Sequence, residues 1–189
     1  LSSNNPNLLL SSIYSIPRVV DINDLRNNYE APITGEQIFL GSLKDGNNPY
    51  WIMNYNTNDN VVDRFYGTYN LTYKPVDWIT ISNNLGGDIN REKRSSVIRK
   101  GTAGVVNGAF YNTELFNRQI NNDFIVTINQ DDLVDDFKFS LMLGNNINDR
   151  QQEATLVSAT NLTIDQLWNY PNAASTVPTR QFSKRRIIG

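Results

Sequence analysis

The chain has 189 residues, of which 19% are charged, and its formal net charge is -2. This near-neutral balance gives no argument for nucleic-acid binding. The sequence contains neither cysteine nor histidine, which excludes disulfides, thiolate chemistry and the commonest catalytic base and metal ligand.

Residues 1–60 show no sustained hydrophobic period, and prolines and asparagine-rich turns interrupt them. A short helical turn is predicted at 20–29, because Asp21 can cap it. A segment of this length without regular structure is uncommon inside a compact domain. We therefore predict that residues 1–60 form a large surface loop region.

Two long strands joined by a tight turn at 74–77 are predicted in residues 61–90. Apolar and polar side chains alternate there with a period of two, over more residues than the roughly 5–6 of a usual strand. A half-buried soluble hairpin shows the same alternation. A strand that crosses a bilayer at a slant needs about 9–11 residues, and both strands exceed this length. The length therefore favours a membrane-spanning hairpin.

A second hairpin of the same design follows at 117–150, with its turn at 130–136. The connections along the chain therefore alternate between long and tight. Transmembrane barrels have long loops outside the cell and short periplasmic turns, whereas a soluble sandwich or propeller has no reason to keep its ends so unequal. The sequence thus predicts an all-β fold, an antiparallel meander that forms part of a large transmembrane β-barrel with long extracellular loops.

The alternation divides the chain into segments, and the last barrel strand is expected to continue over 151–159 above the membrane. In chain order the segments are an extracellular loop region at 1–60, a first barrel hairpin at 61–90, an extracellular loop at 91–116, a second barrel hairpin at 117–150, an extracellular loop at 151–181, and the start of a further strand at 182–189. The side chains predicted to face lipid are Phe65, Leu71, Ile81, Phe124, Leu141 and Leu143.

Four sequence motifs resemble the SusC/RagA family of TonB-dependent outer-membrane transporters. They are the residues at 48–51 (NPYW), 63–67 (DRFYG), 71–78 (LTYKPVDW) and 139–146 (FSLMLGNN). Their order and spacing carry the resemblance, which extends from about residue 48 to the last residue. It implies a barrel of about 22 strands with an N-terminal plug. The plug and the TonB box have no counterpart in this sequence, so we expect the chain to be a fragment of a larger protein.

The resemblance also implies a function. Such transporters import nutrients such as oligosaccharides or peptides across the bacterial outer membrane, driven by the TonB complex. They usually act with a SusD-like surface lipoprotein that covers the barrel. The expected partners are therefore this lipoprotein, the TonB complex, outer-membrane lipid and the substrate, and no nucleic acid.

Aromatic and basic residues in the predicted extracellular loops are the candidates for contact with a ligand or partner. Aromatic faces there could stack on sugars or contact a lid protein, and the alternative is that they pack the loops against one another. The basic run at 91–94 could face anionic lipopolysaccharide or an acidic ligand, and the alternative is a solvated loop. The candidates are Trp51, Tyr55, Arg94, Trp168 and Tyr170.

Other side-chain groups give no catalytic or metal site. The aspartates at 131–136 lack the ligand spacing and turn glycine of an EF-hand, so a hydrated turn is predicted. No pair of carboxylates is favoured over another as a glycosidase pair, and we predict no enzyme activity and no cofactor. Tyr73 and Trp78 flank the first tight turn, where an interfacial aromatic girdle is expected.

The alternative function is a soluble all-β carbohydrate-binding module, in which the apolar strand faces cover a protein core. The two interpretations differ in what covers those faces, protein or lipid. A structural adhesin would require repeats, and the sequence has none of fixed period.

Overall fold

The computed structural model describes residues 9–39, 46–134 and 137–189, without the side chains of 131–134 and 137. Five strands form one antiparallel sheet in the order of the chain, so the prediction of an all-β meander is confirmed. The sheet is open, because each outer strand has a single neighbour among the described strands. The strands are β1 (Asn58–Val76), β2 (Ile79–Ile98), β3 (Ala109–Val134), β4 (Phe137–Leu162) and β5 (Ala173–Ile188).

Three short helices occupy part of the region that was predicted as a large surface loop. They are α1 (Leu9–Tyr14), α2 (Ile22–Asn27) and α3 (Pro49–Tyr55). The predicted cap of α2 is confirmed, because the Asp21 carboxylate accepts a hydrogen bond of 2.9 Å from the Asn23 backbone N–H. Helix α3 begins in the same way, with Asn48 as its cap and proline in its first turn.

The strands are longer than the sequence pattern predicts. Residues 91–98 and 109–116 were predicted as loop but belong to β2 and β3, so only 99–108 connects these strands. The expected continuation of β4 over 151–159 is confirmed, but the loop predicted at 151–181 is reduced to 163–172. Hydrophobic side chains are spaced irregularly among polar ones in these parts, so hydrophobic alternation does not reveal a strand that cross-strand pairing nevertheless forms.

The first tight turn lies later in the chain than predicted. The β1–β2 turn consists of Asp77 and Trp78, and Pro75 lies near the end of β1. Strand β3 continues to Val134 through the start of the turn predicted at 130–136, and residues 135 and 136 lie outside the described residues.

The chain forms two compact units. The first, here called the loop unit, comprises Leu1–Val61, Lys93–Thr113 and Leu156–Thr179. Its hydrophobic core contains Phe110, which is packed with other residues of the strand ends. These are Ala159 and Leu162, with Val97, Trp168 and Ala173 against them.

The second unit, here called the sheet unit, comprises Val62–Glu92, Glu114–Thr155 and Arg180–Gly189. None of its described hydrophobic side chains is buried, and Asp149 is its only buried residue in the part of the chain that the structure describes. Of the six side chains predicted to face lipid, Ile81 is half-buried and the other five are exposed. The sheet unit therefore has no protein core among its described residues.

Candidate functional site

A buried arginine organises the loop unit. The Arg99 side chain is 8% exposed, and its guanidinium lies 2.9 Å from the Glu30 carboxylate and 2.9 Å from the Asp165 carboxylate. The same guanidinium lies over the rings of Trp51 and Tyr55, at 4.6 and 4.1 Å from their centroids. Arg99 is thus held by two carboxylates and two aromatic faces.

Trp51 and Tyr55, both predicted as ligand candidates, lie together in this cluster. Their ring centroids are 4.7 Å apart. Trp51 is fully buried, and its indole N–H donates a hydrogen bond of 2.9 Å to the Thr102 hydroxyl. Tyr55 is half-buried and its hydroxyl donates to Glu30. Protein atoms therefore cover the Trp51 ring, and only part of Tyr55 is open to solvent.

The hydrogen bond between Tyr55 and Glu30 shifts the pKa of both groups. The hydrogen bond from Tyr55 lowers the pKa of Glu30, burial opposes this effect, and Arg99 adds to it. The same bond raises the pKa of Tyr55, and burial raises it further. Glu30 is therefore charged and Tyr55 neutral over a wide range around neutral pH.

Trp168 and Tyr170 form a separate aromatic cluster with Phe110. The ring centroids of these two residues lie 6.5 and 5.2 Å from that of Phe110. Tyr170 is 42% exposed, and its hydroxyl accepts a hydrogen bond of 2.8 Å from the Asn112 amide. Trp168 packs against the hydrophobic core, so Tyr170 is the more accessible of the two.

The fifth candidate, Arg94, lies on β2 and not in a loop as predicted. Its side chain is exposed. The pairing of β2 continues past this position on both sides. Ser95 is hydrogen-bonded to Asn112 of β3, and the Val97 backbone N–H donates to the Thr57 carbonyl just before β1. The basic run at 91–94 is therefore part of a strand.

Contacts between neighbouring strands fix which side chains share a face in the sheet unit. Thr68 lies against Gly86, and the Asn117 amide donates to Asn90. On the other side of β3, the Asn148 amide donates to Asn121. The backbones of Asn146 and Gly189 exchange two hydrogen bonds, which pairs β4 with β5. Alternation along each strand then assigns the remaining side chains.

One face of the sheet unit is polar. Arg64 and Asp88 form a two-bond ion pair there, with distances of 2.9 and 2.6 Å, and the guanidinium lies over the Tyr66 ring. A groove with a volume of 510 Å³ lies beside this pair and is also lined by Gln119 and Asn121. Amides continue the polar face across β3 and β4, where Asn146 and Asn148 both donate to Asn121.

The other face carries a mostly apolar stretch on the central strands. It spans 79–89 on β2, 120–128 on β3 and 139–147 on β4. Asparagines interrupt it, and Asn83 and Asn122 exchange two hydrogen bonds of 3.3 Å. We call this surface the apolar face.

A charged residue marks one end of the apolar face on every strand. It lies two residues beyond the last apolar side chain at that end of the strand, and this spacing keeps both side chains on the same face. The pairs are Phe65 with Asp63, Ile89 with Arg91, Ile120 with Arg118, Ile147 with Asp149, and Ile188 with Arg186.

This charged boundary is staggered across the sheet. By the pairings above, it is level on β1 and β2 and on β4 and β5. It is displaced by about two residues from β2 to β3 and again from β3 to β4, both times towards the end at which β1 turns into β2. The average is about one residue, or roughly 3.3 Å, per strand spacing of about 4.8 Å. The strands therefore cross the boundary at a tilt of about 35°, since the tangent of the tilt angle is about 3.3/4.8.

Asp149 joins three strands at this boundary. Its carboxylate lies 3.2 Å from the Arg118 guanidinium and 2.7 Å from that of Arg186. The hydrogen bond from Arg186 lowers the pKa of Asp149, burial opposes this, and Arg118 and Lys184 lower it further. Asp149 is thus a buried anion between two arginines.

The sequence interpretation did not identify the Arg99 cluster or the arginines around Asp149. The boundary residues could have been identified from the sequence. On each strand a charged residue stands where the period of two would place the next apolar residue. Which strands bring these charges together depends on register, and the sequence pattern does not contain it.

No three His, Cys, Asp or Glu side chains lie close enough to hold a metal ion in the described ranges 9–39, 46–134 and 137–189. Within the same part of the chain, no helix has the length and apolar character needed to cross a membrane. Comparison of the sequence with protein-family models and with curated proteins gives no match.

Proposed function

We propose that the sheet unit is part of the transmembrane barrel of a bacterial outer-membrane transporter that resembles the SusC/RagA family. In this proposal the apolar face contacts outer-membrane lipid and the polar face lines a water-filled interior. The transporter imports nutrients such as oligosaccharides or peptides with a SusD-like lipoprotein and the TonB complex.

The observation that carries the proposal is the missing core of the sheet unit. Large apolar side chains line the strands, among them Phe124, Leu141 and Leu143, and all three are exposed. Covering apolar surface contributes about 25 cal/mol per Å², and soluble monomers rarely leave a large continuous patch uncovered. Lipid would cover this face without any protein layer.

The dimensions of the apolar face support the same proposal. Its stretches on the central strands comprise about 9–11 residues, the number that a tilted strand needs to cross a bilayer. At about 3.3 Å per residue and a tilt of about 35°, these stretches span roughly 25 Å along the barrel axis. Outer-membrane barrels have an apolar band of about this height and strands tilted by about 35–45°.

The residues predicted to contact a ligand or partner differ in how accessible they are. In the proposal the loop unit lies outside the cell. Arg94 and Tyr170 are exposed and are the favoured contacts for a lipoprotein or a substrate. Trp51 is buried beside Arg99, so it supports the loops and does not touch the ligand directly.

The absence of cysteine allows a direct test with single-cysteine variants. Leu141 and Met142 are adjacent on β4, are both exposed and point to opposite faces. We propose to label Leu141→Cys and Met142→Cys with an environment-sensitive fluorophore in the membrane-inserted barrel that contains this chain and the strands completing its sheet. Quenchers attached to lipid acyl chains should quench the label at 141 strongly and the label at 142 weakly. Equal quenching at both positions, or none at 141, would contradict the proposal.

A second candidate function is the soluble carbohydrate-binding module. The polar groove beside Arg64, Tyr66 and Asp88 favours it, since planar polar groups and an aromatic ring suit sugar hydroxyls and ring faces. The amide pair of Asn83 and Asn122 on the apolar face also suits water better than hydrocarbon. Solubility separates the two functions, because the module would remain soluble without detergent and a barrel segment would not.

A further inference from the structure

A row of polar side chains crosses three strands just beyond the apolar face. The contact of Asn148 with Asn121 sets the register that places Gln151 opposite Arg118. The pairing of Asn146 with Gly189 places Lys184 opposite Gln151 in the same way. Directly opposite side chains have Cβ atoms about 4.5–5.5 Å apart. Arg118, Gln151 and Lys184 therefore form one row, and Arg186 lies two residues from Lys184 on the same face.

This row carries excess positive charge. Asp149 is shared by Arg118 and Arg186, whose side chains are 32% and 58% exposed. The carboxylate of Glu153, further along β4, is bound by Arg180. Lys184 is exposed and forms no ion pair within the described part of the chain. Two cations of the row, Arg118 and Lys184, and the neighbouring Arg186 thus have only the carboxylate of Asp149 among them.

Arg118 also has an unused hydrogen-bond donor. Its Nε is buried and finds no acceptor among the residues that the structure describes. A buried donor without a partner is costly, and the cost disappears if the guanidinium turns towards an external anion. Arginine is well suited to this role because its planar guanidinium binds phosphate through two parallel hydrogen bonds.

We propose that Arg118, Lys184 and Arg186, with the Gln151 amide, bind the phosphate of an anionic lipid headgroup. This inference rests on the proposed function, because it requires that lipid covers the apolar face. Three of the four isoleucines next to the charged boundary, Ile120, Ile147 and Ile188, would then contact the acyl chains of the same lipid. The phosphate lies where the charge of the row meets the end of the apolar face.

The test compares lipid retention by matched variants. The proposed barrel, which contains this chain and the strands that complete its sheet on both sides, is inserted into phosphatidylcholine vesicles that contain a minor fraction of phosphatidic acid and is then extracted in mild detergent. The ratio of the two retained lipids is measured by mass spectrometry. We expect several-fold enrichment of phosphatidic acid on the wild-type protein, a clear loss for Lys184→Gln, and a return to the bulk ratio for Arg118→Gln combined with Arg186→Gln.

The control variants remove the same charge from the opposite face. They are Arg185→Gln, matched to Lys184→Gln, and Arg150→Gln combined with Arg185→Gln, matched to the double variant. The single variant Lys184→Gln leaves both hydrogen-bonded pairs of Asp149 in place, so it tests the proposal even if the double variant does not fold. Equal loss of enrichment in Lys184→Gln and Arg185→Gln would overturn it.

Inorganic phosphate distinguishes a lipid from a free anion. We expect millimolar inorganic phosphate to leave the lipid ratio unchanged, because the acyl chains keep the headgroup at the site. If inorganic phosphate binds the wild-type protein and phosphatidic acid is not enriched, the ligand is a free anion and the lipid inference is wrong. Lipid quenching of the label at residue 141 in the same vesicles separates this failure from failure of the proposed function.

Discussion

Arg99 connects parts of the loop unit that are far apart in the chain. Its two carboxylate partners, Glu30 and Asp165, lie 69 and 66 residues away. Its backbone carbonyl also accepts a hydrogen bond of 2.8 Å from Thr102, the residue that holds the Trp51 indole. Arg99 therefore links Glu30, helix α3 and the two strand connections at 99–108 and 163–172.

We predict that Arg99→Met destabilises the protein by about 3 kcal/mol, because removal of one partner leaves two carboxylates without their charge partner. This is the low end of the range for buried pairs, since Glu30 and Asp165 are partly exposed. Urea denaturation of the detergent-solubilised protein, followed by tryptophan fluorescence, measures the change. Lys93→Met, at an exposed site nearby on β2, is the control and should change stability by less than about 0.5 kcal/mol. Similar losses in the two variants would show that Arg99 is not the organising residue.

The pair of Glu30 and Tyr55 predicts a pH dependence. The pKa of Glu30 is lowered from its ordinary value of 4.5, so its contribution to stability is complete above pH 4.5 and is lost as the pH falls through the lowered pKa. The pKa of Tyr55 is raised from 10.0, so its contribution is complete below pH 10.0 and is lost as the pH rises through the raised pKa.

Tyr55→Phe should therefore be less stable than the wild type at neutral pH and should lose less stability at both extremes. Urea midpoints of the detergent-solubilised protein at a series of pH values test this. Tyr14→Phe is the control, because Tyr14 is 85% exposed, and its profile should follow that of the wild type. If Tyr55→Phe had the same pH profile as the wild type, the pair of Glu30 and Tyr55 would not be the source of the pH dependence.

At the scale of the elements, β4 separates two environments along one strand. Leu141 and Met142 are neighbours in sequence but belong to the apolar and the polar face. In the proposed barrel, Leu141→Arg places a charge in hydrocarbon and should cost roughly 2–4 kcal/mol, whereas Met142→Arg places it in water. Denaturant-dependent folding into lipid vesicles measures both. Equal costs would indicate that neither face meets lipid.

The connection between β2 and β3 depends on a glycine. Gly108 has a φ of +71°, and an added Cβ would lie 3.0 Å from Lys100 Cγ and 3.1 Å from the carbonyl oxygen of Ile98. Gly108→Ala should therefore cost about 1–3 kcal/mol in backbone strain and crowding. Gly67→Ala is the control, since an added Cβ there meets no atom within 4 Å. Thermal unfolding of the detergent-solubilised protein should show a lower midpoint only for the Gly108 variant.

At the scale of the whole molecule, the open sheet has two outer strands. Every residue of β1 is exposed, as is almost all of β5. In a membrane the free backbone groups of these edges would each cost several kcal/mol, so the proposed barrel requires further strands on both sides. In water an exposed edge beside an apolar face promotes association.

We therefore predict that the 189-residue chain, expressed alone in water, does not form a soluble, cooperatively unfolding monomer. Analytical ultracentrifugation combined with urea denaturation tests this. Association or a requirement for detergent is the expected result. A stable monomer would contradict the transporter proposal and would favour the soluble carbohydrate-binding module.

The sequence alone determined the class of fold and the course of the chain. Period-two alternation identified the hairpins at 61–90 and 117–150, and Asp21 identified the start of α2. These features are local, since a strand or a helix cap is set by residues close together in the chain. The ends of the strands were missed, because polar pairs such as Ser95 with Asn112 leave no hydrophobic pattern.

Only the tertiary structure decided which distant side chains meet. The Arg99 cluster, the charged boundary with its stagger, and the row of Arg118, Gln151 and Lys184 all depend on strand register or chain connection. A shift of one residue in register would leave the alternation in the sequence unchanged but would move the partners in the charged boundary and in the row to the opposite face. For this reason the sequence predicts the strands, and cross-strand pairing alone creates the sites between them.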